Sequence, residues 1–330
     1  MMNTAEPLIE IENLRVQFTQ ERQKTFSLRG LDISFYKDEI HGLVGESGSG
    51  KTVTAMSIMG LLPKPAAKLL SGSIRYEGKE LLSLSEDELR RYRGNKIAMV
   101  FQEPAKYLNP AFTVGEQIRE VVRLHMGLNR TQADARAVEL LDLVGLGGDG
   151  RVLGAYPHEL SSGMKQRAMI AIAISCDPDF LIADEPTTSL DVTLQLQILR
   201  LLKRLKNMKR IGMLFISHDL SVIKEIADRV SVIYAGKIVE SASTARLFGH
   251  PMHPYTRLLL MSIPDARRRG KRLAAIAGQV LDAREDPQGC VFAPRCPLAK
   301  ELCLRESPKL IAYEQGHMSA CHFAEEAWNL

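Results

Sequence analysis

The chain lacks any apolar run approaching the ~18 residues of a membrane span, so it is expected to meet a membrane only as a peripheral subunit. Its opening, MMNTAEPLIEIENL, carries acids early and has no basic segment leading into an apolar one, and so does not read as a secretory signal. Strong charge is missing too. Against 39 acidic residues stand 43 basic ones, a formal balance of +4, and no nucleic-acid partner is expected from so small an excess. No internal repeat or low-complexity tract is evident. Cysteine is scarce until the end: Cys176 stands alone, while Cys290, Cys296, Cys303 and Cys321 crowd the last 41 residues.

What is present is the composition of a soluble globular protein. The 330 residues, 45% hydrophobic and 25% charged, suffice for one large domain with an appendage, or for two domains. Strand-like alternation opens the chain in PLIEIENLRVQF and FSLRGLDISFY. The buried run IHGLVG then enters a glycine-rich turn and an apolar helix from about Thr52. After LPKPAAK and GSIRYEG comes KIAMVFQ, another buried strand. From about Thr113 to Cys176 the spacing turns helical, in TVGEQIREVVRLH, RTQADARAVELLDLV and SSGMKQRAMIAIAIS. FLIAD, LQLQILRLLKRLK, GMLFISHD and SVIKEIADRV resume the strand–helix alternation, and SVIYAGKIVESA reads as a hairpin. The expected fold is α/β with a mainly parallel sheet, an N-terminal antiparallel part and a helical insert over about residues 103–176. A boundary is expected near residue 250, with 1–250 as the main domain and 251–330 as a small Cys-rich extension. Within the latter, the basic run RRRGKR (267–272) reads as a solvated linker, or as a contact for phosphates or anionic lipid.

The chemistry begins at GESGSGKT, residues 45–52, which satisfies G-x-x-x-x-G-K-S/T between a predicted strand and a predicted helix. Gly45, Glu46, Ser47, Gly48, Ser49 and Gly50 let successive N–H groups face a polyphosphate. Lys51 reaches its β- and γ-phosphates, and the Thr52 hydroxyl suits Mg²⁺. FLIADE, residues 180–185, is an apolar strand ending in two acids whose side chains diverge. Asp184 suits Mg²⁺, and Glu185 suits polarisation of an attacking water. Gln102 after KIAMVF and His218 after GMLFIS end strands in the same way, where ligands of open α/β sheets collect. Gln102 offers an amide oxygen to Mg²⁺ or water; His218 could donate to a γ-phosphate.

With these residues in hand, the chain resembles the nucleotide-binding subunit of an ATP-binding cassette (ABC) transporter. In that family's terms, 45–52 is Walker A, Gln102 the Q-loop, 160–164 the signature with Ser161, Ser162 and Gly163, and 180–185 Walker B. Residues 189–191, ending in Asp191, are the D-loop and His218 is the switch histidine. Phe18 matches the aromatic that stacks on adenine, with a core aromatic as the alternative. The resemblance implies an ATPase whose paired subunits sandwich two ATP molecules, each phosphate loop facing the partner's signature. It implies a second ABC ATPase subunit, a different chain in many peptide importers. It also implies two transmembrane permease subunits, an extracytoplasmic solute-binding protein, and a peripheral place on the cytoplasmic face of the inner membrane.

The tail narrows this. EPAKYLNP (103–110) and HPYT (253–256) followed by RLLLMSIP resemble the oligopeptide, dipeptide and nickel importer ATPases, although Ala105, Lys106 and Tyr107 depart from the usual small hydroxyl-bearing residues. Five, six and seventeen residues separate the four cysteines. An iron–sulfur cluster, a structural zinc and free thiols all suit four such residues. None of the intervals is the two-residue gap of zinc ribbons, and the flanks resemble the tail of dipeptide-importer ATPases, which implies a 4Fe–4S cluster. Disulfides are disfavoured for a subunit facing the reducing compartment that holds ATP. The function implied is uptake of di- or oligopeptides. Nickel or another small solute of the same branch is the second reading, and a soluble ABC ATPase of translation or DNA repair the third.

One departure stands out in LSSGMKQR. The family pattern is L-S-G-G, so Ser162 replaces a glycine. If that position needs a positive φ, serine costs about 1 to 2 kcal/mol and weakens the partner's ATP site; if it needs close approach, the added side chain would hold the phosphate slightly away. Serine is itself favoured at a helix N-terminus.

Overall fold

The computed structural model describes residues 6–20, 23–147, 150–188, 190–263 and 276–327. Ser189 and the basic run 267–272 lie outside them. The chain divides into two compact units: 1–35, 41–82 and 217–330 form one, and 36–40 with 83–216 the other.

The first unit opens with β1 (Ile9–Gln20) and β2 (Gln23–Phe35), an antiparallel pair. Ile9, Ile11, Leu14 and Val16 are buried along β1, and the break in alternation between Ile11 and Leu14 coincides with a register shift. β3 (Ile40–Val44) follows, buried at every residue, and runs directly into the phosphate-loop motif and the helix Lys51–Ile58. β4 (Ala67–Tyr76) and β5 (Lys79–Glu80) complete a four-stranded antiparallel sheet in the order β2-β1-β4-β5.

The second unit carries β6 (Ile97–Val100), β7 (Phe180–Asp184) and β8 (Gly212–Ser217). They are paired in parallel, β6 to β7 and β7 to β8, and buried throughout, as continuous apolar runs require when both faces are covered. Between β6 and β7 lie the helices Val114–Met126, Arg130–Leu143 and Ser162–Ala173. The first two start at capping boxes, Thr113 with Glu116 and Asn129 with Gln132. Val114, Ile118 and Val122 form the fully buried stripe of the first. After β7, the long helix Val192–Lys209 buries Ile198, Leu202 and Leu205.

The chain then returns to the first unit. Helix Leu220–Ile226 leads to β9 (Arg229–Tyr234), which is parallel to β3 and forms a hairpin with β10 (Lys237–Ser243). Ala235 and Gly236, at φ 45° and 79°, supply the tight turn. The helix Pro254–Met261 begins the tail. β11 (Ile311–Ala312) and β12 (Met318–Ser319) then extend the sheet edge, β12 pairing Ser319 and Met318 with Glu240 and Ser241 of β10. Glu240, fully buried, ties this together: its carboxylate accepts from the Met252 and His253 N–H groups, at 2.7 and 3.0 Å, and lies 2.7 Å from His317 Nε2. The predicted elements are all present. Periodicity did not reveal the shortest elements, among them the helices Glu86–Tyr92 and Thr244–Gly249 and the two-residue strands β5, β11 and β12, too brief to carry a clear period.

Candidate functional site

The residues singled out by sequence fall into two sets, one in each unit. In the first unit the loop 45–52 connects β3 to the helix Lys51–Ile58. Gly45 and Gly50 are required by space and by torsion. A Cβ on Gly45 would come within 2.2 Å of the Ile233 carbonyl; Gly50 has φ 109° and packs against the Ser27 carbonyl. Gly50 also caps the helix without a side-chain hydrogen bond, and the N–H groups of a helix start suit an anion. The Lys51 ammonium folds over the loop, donating to the Gly45 and Glu46 carbonyls at 2.9 and 3.0 Å, and is 6% exposed. Ser47, Gly48 and Thr52 are exposed and Ser49 is buried. Phe18 is half-buried on β1, opposite Thr25 and Ala67. His218 is exposed just after β8.

In the second unit, Asp184 is buried at the end of β7 and Glu185 follows it at φ 46°, a left-handed conformation that costs a non-glycine residue about 1–3 kcal/mol. The Glu185 N–H donates to the Ile216 carbonyl at 3.0 Å, which helps hold that turn. Gln102 is brought to it: Gln102 Nε2 donates to Glu185 Oε2 at 2.9 Å. Thr188 Oγ1 donates to the same oxygen at 2.8 Å. Thr188 was not singled out from sequence; its spacing of three from Glu185 at a strand end is the only local signal.

The signature segment answers the question raised by LSSG. Ser161 is the N-cap of the helix Ser162–Ala173, its hydroxyl accepting from the Met164 N–H at 3.3 Å. Ser162 is the first helical residue, exposed, and is not among the residues with positive φ. The feared backbone penalty therefore does not arise. Gly163 is buried, and a Cβ there would meet Leu194 at 3.2 Å. Asp191 caps the helix that bears Leu194, its Oδ1 accepting from Thr193 and Leu194 N–H at 2.9 and 3.0 Å.

The tail adds contacts that sequence reasoning missed. Tyr255, from HPYT, accepts at its hydroxyl from the Glu46 N–H at 3.0 Å, and Arg295, from PRCP, forms a two-pronged ion pair with the Glu46 carboxylate. Nothing local announces either, because the partners lie 209 and 249 residues away.

Cys290, Cys296, Cys303 and Cys321 line one narrow cavity together with His253, Phe292 and Phe323. The donors are soft and suit iron or zinc in kind. Their placement does not: among the described residues no group of three or more His, Cys, Asp or Glu side chains is arranged to hold a metal ion. Burial first, reinforced by the neighbouring thiolates, pushes the Cys290 thiol up, Cys296 to about 11 and Cys321 to about 12. Without a metal, Cys290, Cys296 and Cys321 are protonated at neutral pH and pack as small apolar groups. The expected iron–sulfur cluster is thus not supported by this arrangement. Cys176 is buried in the other unit and packs, as expected.

Comparisons with known proteins agree with the motifs. The chain matches a family model described as ABC transporter over residues 28–188, and one described as oligopeptide/dipeptide transporter, C-terminal region, over 239–303. It is 48% identical, over 99% of this chain and 98% of the relative, to the "Probable peptide ABC transporter ATP-binding protein y4tR" of Sinorhizobium fredii. It is 46% identical, over 97% of both chains, to the oligopeptide transport ATP-binding protein AppD of Bacillus subtilis. Among solved structures it is similar to the dimeric structure of MJ0796, a bacterial ABC transporter cassette, with a TM-score of 0.64 and 25% identity over 72% of this chain and 98% of that one. No described helix is long and apolar enough to cross a membrane. The chain belongs to the ABC transporter family, among the ATP-binding proteins that carry the oligopeptide/dipeptide transporter C-terminal region.

Proposed function

We propose that this chain is the ATP-hydrolysing subunit of a peptide importer, working on the cytoplasmic face of the membrane with a second ABC ATPase subunit, two permease subunits and a solute-binding protein. The observation that carries the reading is the complete phosphate loop joined to a tail of the oligopeptide/dipeptide type. Peptide as the solute rests on the names of the two relatives, which refer to peptide and oligopeptide transport.

In this reading the N–H groups of 45–52 bind the phosphates, and Lys51 turns from the loop carbonyls to the β- and γ-oxygens. Phe18 stacks on the base. Mg²⁺, when bound with the nucleotide, neutralises phosphate charge, and the exposed Thr52 hydroxyl, the Asp184 carboxylate and the Gln102 amide would hold it. Glu185 accepts the proton of the attacking water, steadied by Thr188, and His218 donates to the γ-phosphate. Ser161, Ser162, Gly163 and Asp191 serve the nucleotide bound by the partner. No step is assigned to a metal in the tail. For the four thiols, the finer reading of a 4Fe–4S cluster is decided by iron and acid-labile sulfide analysis of the anaerobically purified full chain; stoichiometric amounts support it, and their absence ends it.

The test of function is reconstitution of the complex with its two polytopic subunits in lipid. Peptide-loaded binding protein should raise ATP hydrolysis, and Glu185→Gln should lower kcat by about 10² to 10⁴ while ATP still binds. Hydrolysis indifferent to peptide and to Glu185→Gln would overturn the reading.

A further inference from the structure

Glu46 is the one acid of the phosphate loop, and it is gripped twice by the tail. Its N–H donates to the Tyr255 hydroxyl at 3.0 Å. Its two carboxylate oxygens receive the two ends of one guanidinium, Arg295 Nη1 to Oε2 at 2.7 Å and Nη2 to Oε1 at 3.1 Å. Arg295 is itself fixed. It donates to the Ala277 and Ile276 carbonyls at 3.1 and 3.3 Å and its side chain is only 4% exposed. The guanidinium also lies 5.8 Å from the Tyr234 ring centroid. Tyr234, Tyr255 and Phe292 pack against one another at 4.7–5.3 Å between centroids and form an aromatic wall beside the pair.

A carboxylate in a loop that must receive a polyanion works against binding, because like charges at close range repel and the repulsion grows as water is excluded. A lysine could offset the charge only as a mobile point. The planar fork of arginine matches both oxygens and so fixes where the carboxylate points as well as cancelling it. We propose that Arg295 is a positioning residue for nucleotide binding: it neutralises Glu46 and, together with Tyr255, holds the phosphate loop in the curvature that admits the polyphosphate. The inference rests on the reading of 45–52 as the ATP site, and it gives the peptide-transporter tail a direct part in that site.

The experiment is a titration of the full chain with MgADP and MgATP, followed by kcat and KM of the assembled complex. Arg295→Met should weaken nucleotide affinity about tenfold, equivalent to about 1.4 kcal/mol, and raise KM far more than it lowers kcat. Arg295→Lys should give about a third of that effect on a logarithmic scale. Adding Glu46→Gln to Arg295→Met should restore most of the affinity, because the repelling charge leaves with its partner; a purely structural tether would show no such rescue. The defect of Arg295→Met should also shrink as salt is raised. Should Arg295→Met fail to fold, Arg295→Lys and Tyr255→Phe carry the same measurement, each expected to weaken binding. Unchanged affinity in these variants, or a double variant no better than Arg295→Met, overturns the proposal. Lys51→Ala separates the two readings. If it leaves affinity intact, the loop is not the nucleotide site; if it abolishes binding while the Arg295 variants bind normally, only the present inference fails.

Discussion

Ser162 illustrates how far a single residue can be judged from its neighbours in sequence. Its replacement of a glycine suggests strain if the position needs a positive φ, and accommodation if a helix starts there. The helix does start there, with Ser161 as cap and Ser162 as the first helical residue. A glycine at this point would add backbone freedom to the unfolded chain without relieving anything in the folded one. Ser162→Gly is therefore expected to lower stability by about 0.5–1 kcal/mol at most, read by urea unfolding, and to leave ATP hydrolysis at both sites within twofold. A several-fold rise in hydrolysis would show that the hydroxyl hinders the partner's nucleotide. The placement of 45–52 between a strand and a helix, and of Asp184 and Glu185 at a strand end, was readable at this scale because it follows from local properties of the chain. Thr188 and Arg295 were not, because what defines them is the carboxylate each one meets.

At the scale of elements, the helix Pro254–Met261 shows how the tail is locked. His253 precedes it with Pro254 at the first helical position, and the ring accepts at Nδ1 from the Tyr255 N–H at 3.1 Å. Burial depresses the imidazole from 6.5 to about 3. The sign follows: the unfolded chain takes up this proton near pH 6.5 while the folded chain refuses it until about pH 3. The stabilisation is thus complete above pH 6.5 and is lost as pH falls toward 3, by up to about 1.4 kcal/mol per pH unit. His253→Asn keeps an acceptor for the helix N-terminus and removes the titration. Comparing unfolding free energies at pH 7.5 and pH 5, the variant should lose about 2 kcal/mol less than the parent on acidification. Equal losses would mean that His253 is protonated in the folded chain. Helices of this kind and the parallel strands β6, β7 and β8 were legible from apolar spacing. The two-residue β11 and β12 were not, since they exist only because β10 offers them an edge.

At the scale of the whole molecule, Glu240 is the point where distant segments of the first unit meet: β10, the start of the tail helix, and His317 beside β12. Removing the carboxylate strands two buried N–H groups and the histidine at once. Glu240→Ala should cost about 3–5 kcal/mol, measured by denaturant unfolding, and should expose the tail to limited proteolysis after residue 303. A loss below about 1 kcal/mol would show that the tail is held by its apolar contacts alone. Tail, hairpin and phosphate loop thus share a single compact unit.

By itself the sequence determined the chemistry that depends on neighbours along the chain. The phosphate loop, the paired acids after a buried strand, and the caps and stripes of the helices are each set by torsion, periodicity or a side chain within four residues. Only the tertiary structure decided what spans the chain. Arg295 meets Glu46 across 249 residues, and four cysteines that invite a metal by count line an apolar cavity without forming a metal-holding group. The reason is physical: charge pairing and coordination are fixed by distances of a few ångströms, and separation along the sequence does not limit those distances once the chain has folded back on itself.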